Sequence, residues 1–281
     1  MKHSTTPNRK STVLALAFFF VMTFIGVTAA HAQNDTLNPL FSTTGPNVLG
    51  EGRIQWNNSA DYYLSMERYS KFDYTLSNAF GLSTGLRFGI GNRAELTLDV
   101  AGSYATGEST YIDGLYSNST NARAAVGAKL LLTEGRGWLP QVAFFTSVGL
   151  RNQKYSLNNL RVSEVQPQIG LMFRNRVGRT WAFDYSIGYS WAASNEPGID
   201  FQSQIQYSVG FRHLVTDRLT LGMEIGNGNS ANRMAGGIEA RFQATPNLQL
   251  SLREGAAFGV SSDLNTSYQF NTLFGLHWTL R

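Results

Sequence analysis

Residues able to do chemistry are sparse in this chain. Past the N-terminal leader it holds two histidines, His213 and His277, and no cysteine anywhere. Neither histidine sits in a motif that pairs it with a nucleophile, as general-base catalysis requires. No histidine pair or histidine–carboxylate pair has metal-ligand spacing. Asp61 and Asp113 fall in expected loops without the Asp-rich run of a calcium site. Gly85, Gly89 and Gly91 precede no helix, so they make no phosphate loop. No catalytic residue, metal site or cofactor is expected. The chemistry left is that of charges set at alternate positions inside otherwise regular segments: Arg53, Arg87, Glu95, Asp99, Lys129, Glu164, Arg174, Asp184, Arg212, Glu224, Glu239, Arg241 and Arg253. Such a set either lines a water-filled lumen and selects by charge, or neutralises itself through cross-strand ion pairs in a narrow one. Seven basic against six acidic groups favour pairing for any single residue. Tyr62, Tyr63, Tyr69, Tyr111 and Tyr116, placed in loops, would stack on an aromatic or sugar ligand. Loop packing or an interfacial belt is the preferred account of them.

The elements that position these charges are ribbons of period two. Thr180–Trp191 reads TWAFDYSIGYSW, with Trp181, Phe183, Tyr185, Ile187, Tyr189 and Trp191 on one face and Ala182, Asp184, Ser186, Gly188 and Ser190 on the other. A ribbon of that length suits a tilted strand crossing a hydrocarbon layer. Similar ribbons are expected near Gly50–Asn57, Leu76–Ile90, Ala94–Tyr104, Ala122–Leu132, Leu139–Leu150 and Glu164–Arg174. Beyond the seventh they recur near Asp200–Leu214, Leu219–Gly226, Met234–Ala244, Leu248–Val260 and Thr266–Arg281. The expectation is an all-β, transmembrane, antiparallel up-and-down barrel of about twelve strands. Connections alternate: Gly91-Asn92-Arg93, Thr133–Trp138, Asn175–Arg179, Thr216-Asp217-Arg218 and Thr245-Pro246-Asn247 fall on one side, and longer polar loops on the other. Short periplasmic turns and long extracellular loops follow, with both termini periplasmic. Glu254 falls on the outward parity, which predicts a bulge or the end of the lipid band there. A soluble barrel would put its apolar face inside. Aromatics at strand ends, strand charges on one parity and asymmetric loops favour the membrane.

The leader fits export. Lys2, Arg9 and Lys10 precede an apolar run from Val13 to Val27, and Ala30-His31-Ala32 is a small-residue cleavage site. The run is short for a membrane anchor. Residues 1–32 are therefore expected as a cleaved signal peptide, 33–48 as a periplasmic lead-in and 49–281 as the barrel. Without the leader the chain holds 20 basic residues against 19 acidic ones, no argument for nucleic acid. Mean hydropathy of −0.18 excludes a helical membrane bundle but suits a barrel, whose two faces average out. Absent cysteine means no disulfides in the exported chain.

Thr43–Asn58 (TTGPNVLGEGRIQWNN) and Gly85–Leu96 (GLRFGIGNRAEL) resemble a family of outer-membrane transporters named after the meta-pathway of phenol degradation. Gly45-Pro46-Asn47 matches the family's opening element, Gly52-Arg53-Ile54-Gln55 its first ribbon, and Arg93-Ala94-Glu95-Leu96 its turn and acidic-apolar strand. Val215-Thr216-Asp217-Arg218-Leu219 repeats that turn. Two features depart from the pattern: Thr44-Gly45 stands where Asp-Arg is usual, and the chain ends on Arg281 rather than an aromatic residue. The resemblance implies passage of small compounds, hydrophobic ones included, without naming a substrate. Outer-membrane phospholipases of similar strand number carry a His-x-Ser-Asn-Gly-like element, which neither histidine here has.

Together these features predict an outer-membrane channel or transporter that passes small solutes, hydrophobic or aromatic ones among them, and is not an enzyme. The alternative is a closed structural or surface-interaction barrel working through its extracellular loops. Expected partners are the outer-membrane bilayer, the barrel-assembly machinery and a small-molecule solute, with no nucleic acid.

Overall fold

The computed structural model describes residues 46–68, 74–109, 115–136, 138–154, 164–194, 202–227, 233–260 and 266–280. Residues 1–45, which hold the expected leader and most of the expected lead-in, and Tyr69, Tyr111 and Asp113 lie outside the described residues. The strands are β1 (Ile54–Arg68), β2 (Tyr74–Ile90), β3 (Ala94–Ser109), β4 (Leu115–Arg136), β5 (Leu139–Lys154), β6 (Glu164–Val177), β7 (Trp181–Ser194), β8 (Gln202–Leu214), β9 (Leu219–Gly226), β10 (Arg233–Thr245), β11 (Leu248–Val260) and β12 (Thr266–Leu280). Each pairs antiparallel with its sequence neighbours, and β1 pairs β12 from Ile54↔Leu280 to Arg68↔Thr266, closing the barrel. Closure leaves no edge of unpaired N–H and C=O groups, which hydrocarbon would not solvate.

The turn end is defined by tight connections. Gly91 (φ 62°) and Gly178 (φ 65°) take the left-handed conformation needed to reverse the chain there. Tracing paired residues from Ile54 leads through Phe88, Leu96, Ala128, Thr146, Ile169 and Tyr189 to Ile205. Ile54 begins β1, whereas Ile205 lies nine residues (205 against 214) from the turn end of β8. Paired rows thus climb toward the loop end by about one residue per strand, the stagger of tilted barrel strands.

The faces are sorted opposite to a soluble core. Phe80, Val126, Ile187, Ile205, Ile238 and Phe274 each leave half or more of their surface exposed. Glu95, Asn121, Lys129, Arg174, Arg253 and Asn271 are buried inside. A belt of large apolar side chains costs about 1.5–3 kcal/mol for each one held in water, so lipid must cover it. The chain is a transmembrane barrel, and the soluble alternative is excluded.

Three local expectations need correction. The first strand is Ile54–Arg68 rather than Gly50–Asn57, so Tyr62 and Tyr63 belong to β1, outward and inward respectively. Tyr116 lies on β4 rather than in a loop. Pairing continues past the lipid band, where composition no longer needs to be apolar, so polar residues hide the strand ends. Glu254 sits on no bulge. Its pairing with Ile238 and Thr272 is regular, and Leu252 and Ala256 flank it on the same face.

Candidate functional site

The lumen nearest the turn end is closed by a ring of charges drawn from almost every strand. On β2–β3–β4, Glu95 takes both Arg87 Nη2 (2.6 Å to Oε2) and Arg87 Nε (3.0 Å to Oε1), and Lys129 Nζ lies 3.0 Å from its Oε1. Glu95 is 1% exposed. Gln55 on β1 accepts a further Arg87 bond at 2.6 Å. On β6–β7–β8, Asp184 receives Arg174 in a fork at 2.5 and 2.9 Å, and Arg212 approaches at 3.3 Å. On β9–β10–β11, Arg253 meets Glu224 at 3.7 Å and Arg241 meets Glu239 at 2.9 Å. The first two clusters follow from register. Glu95↔Lys129 and Arg174↔Asp184 are directly opposed cross-strand partners, and both strands of each pair turn the charge inward. Forked guanidinium–carboxylate pairs are among the strongest such contacts.

His277 closes the arc between β11 and β1. Its Nδ1 lies 2.8 Å from Asn57 Oδ1, and its Nε2 3.3 Å from Ser251 Oγ. Hydroxyl, imidazole and amide stand in the order of a nucleophile, a base and its orienter. The hydroxyl has no room for an acyl group, however. Ser251 is 4% exposed, and a Cβ on Gly275 would lie 2.4 Å from its Oγ. His213 points outward instead and stacks on Trp181, ring centres 3.9 Å apart.

The chain's own N-terminal side completes the closure. Pro46 is fully buried and lines one small cavity with Asp184, Arg212, Glu224 and Arg253. Leu49 N–H donates to Glu95 Oε2 at 3.0 Å, and Gly52 N–H to Gly89 O at 3.2 Å. Gly89 is required by this approach, since a Cβ there would lie 2.0 Å from Gly50 O. The free space left among Pro46 and its neighbours is about 30 Å³, room for roughly one or two waters. The described end of the lead-in thus turns into the lumen rather than staying below the barrel mouth.

Of the residues singled out from the sequence, the structure gathers Arg87, Glu95, Lys129, Arg174, Asp184, Arg212, Glu224, Glu239, Arg241 and Arg253 into this ring. Asp99 faces the lumen farther from the turn end, its carboxylate over Gly85, where a Cβ would meet Oδ1 at 2.0 Å. Arg53 precedes β1 and is exposed on the rim, outside the ring. Glu164 begins β6 at the loop end, with its side chain outside the described residues. Parity already turned Gln55 inward, but sequence reasoning missed Asn57, Ser251 and the inserted Pro46–Leu49 segment. It also missed inward Asp61 and Arg123. Asp61 was hidden by its assignment to a loop, whereas Arg123 shares the parity of Lys129 and was legible.

A family model described as "Putative MetA-pathway of phenol degradation" matches residues 39–272. The chain belongs to this family. Among solved structures, the COG4313 outer membrane channel from Pseudomonas putida F1 superposes with a TM-score of 0.61 at 13% identity, over 85% of this chain and 100% of that one. The translocator domain of the autotransporter NalP from Neisseria meningitidis superposes with a TM-score of 0.53 at 10% identity, over 82% and 89%. At these identities both show the barrel fold. A search of curated proteins gives no match.

Proposed function

We propose that this member of the family is a passive outer-membrane channel for small solutes, hydrophobic and aromatic ones among them. It is shut at its periplasmic end by the lead-in seated in the charged ring. One observation carries this reading: the closure includes a part that belongs to no strand of the barrel wall. Pro46–Leu49 is not a barrel strand, and it is held by few polar contacts, among them Leu49 N–H on Glu95. Its departure would widen the lumen without breaking a strand pair. Loopward of the ring the lining mixes small or apolar residues, Tyr63, Ala79 and Ala105 among them, with buried polar ones such as Asp61, Ser103, Asn121 and Asn271. That mixed surface, with the family's description as a pathway of phenol degradation, supports a small aromatic solute that carries a polar group. The matching Pseudomonas putida structure is described as an outer membrane channel, which supports transport over catalysis. Entry from the loop side and exit between the turns need no energy source beyond a gradient.

The ion pairs favour the second reading, a closed barrel that acts through its loops, because paired charges fill space and offer no selective field. Liposome swelling and planar-bilayer conductance separate the two. The mature chain and a variant lacking residues 33–49 would be compared with sugars, amino acids and small phenolic acids. Raised conductance and swelling in the truncated barrel support a gated channel. No passage in either form, with both barrels heat-modifiable, leaves the closed barrel.

A further inference from the structure

Glu254 is the anomaly of the outer face. It projects outward from β11 and is exposed, with Leu252 and Ala256 beside it along the strand and Ile238, 61% exposed, across from it. A carboxylate inside the hydrocarbon band is costly unless it is partnered. Thr272 Oγ1 donates to Oε2 at 2.9 Å, and Oε1 has no donor among the described residues. Acyl chains offer none, and headgroup donors lie only at the band's edges.

A second polar cluster faces outward two strands away. Trp56 Nε1–H donates to Thr84 Oγ1 at 2.7 Å, and Thr84 donates to Asn58 Oδ1 at 2.9 Å. This relay engages the amide oxygen of Asn58 and leaves its NH₂ to donate outward. Depth follows from the stagger of the strands. The row through Glu254 runs by Thr272 to Tyr62. Because rows climb about one residue per strand, Glu254 is level with Ala60, next to Asn58 on the outward face of β1, and with Thr84 on β2.

We infer that this seam, β11–β12–β1–β2, is the contact surface between two copies of the barrel. A two-fold axis along the membrane normal preserves depth and reverses left and right. Placed over β12, it sets Glu254 of one copy against Asn58 of the other, and the reverse, giving two charge-assisted N–H···O contacts in a water-free interface. The patch carries its acceptor on one flank and its donor on the other at one depth, so it is complementary to itself. Phe274, on the outward face of β12 and 51% exposed, would sit beside the axis.

The absence of native cysteine makes the test direct. The full mature chain carrying Phe274→Cys is oxidised in lipid vesicles, with Ile187→Cys on the opposite wall as control. Native mass spectrometry of the unmodified chain reads the dimer fraction. A disulfide-linked dimer for Phe274→Cys, none for Ile187→Cys, and about tenfold weaker dimerisation in Glu254→Leu are expected. Asn58→Leu should weaken the dimer similarly, which keeps the test open if Glu254→Leu folds poorly. A monomeric wild type, equal cross-linking at both walls, or an unchanged dimer fraction in both leucine variants would overturn the inference.

Discussion

Glu95→Gln tests the charged ring at its most connected point. The carboxylate is 1% exposed and serves Arg87, Lys129 and the Leu49 N–H together. The amide keeps the volume and one acceptor oxygen but removes the charge both cations depend on. Breaking a buried pair by removing one partner costs about 3–5 kcal/mol, because the other charge stays buried. The Leu49 contact also falls from a charge-assisted to a neutral hydrogen bond. That loss of about 1–1.5 kcal/mol is roughly tenfold in how often the segment leaves. Two assays read the two effects. Guanidinium unfolding in lipid vesicles, followed by tryptophan fluorescence, should give a barrel weaker by about 3–5 kcal/mol. Planar-bilayer recordings should give an open probability raised about tenfold. A stability loss below about 1 kcal/mol, together with unchanged gating, would show that the ring is solvated enough for each charge to stand alone, and the account of closure would fail.

Gly89→Val should expel the lead-in, since even a Cβ would lie 2.0 Å from Gly50 O; conductance then rises while the barrel stays heat-modifiable, and an unaltered current would refute it. Asp184→Asn leaves Arg174 and Arg212 facing each other, so stability should drop about 3–5 kcal/mol and an opened pore should shift toward anions, measured as a reversal potential in a salt gradient. Gly170→Ala places a Cβ 2.5 Å from both the Phe145 ring and Ile187 O, overpacking that should cost about 1–3 kcal/mol and lower the guanidinium midpoint without changing selectivity.

The alternation of residues determined much of this protein. In β7 every second residue from Trp181 to Trp191 is large and apolar, and those between are small or polar; no other periodicity fits, so the strand and its two faces follow together, while strand-end aromatics and loop lengths pointed the apolar face at lipid. The short turns at Gly91 and Gly178 were equally legible, because only a few residue types accept positive φ. Strand ends were not, since ladder hydrogen bonds continue beyond the lipid through residues such as Tyr63 and Tyr116, whose types carry no requirement there. Parity told which way Glu95, Lys129, Arg174 and Asp184 point, but not that they meet, because partnership depends on register and on how the sheet is staggered. The entry of Pro46 into the ring had no periodic signal at all. It depends on a space that exists only once twelve strands have closed around it, and on Gly89, whose missing side chain acquires meaning only when another stretch of backbone lies against it. Local chemistry thus fixed the faces of the ribbon, and closure of the barrel decided what those faces enclose.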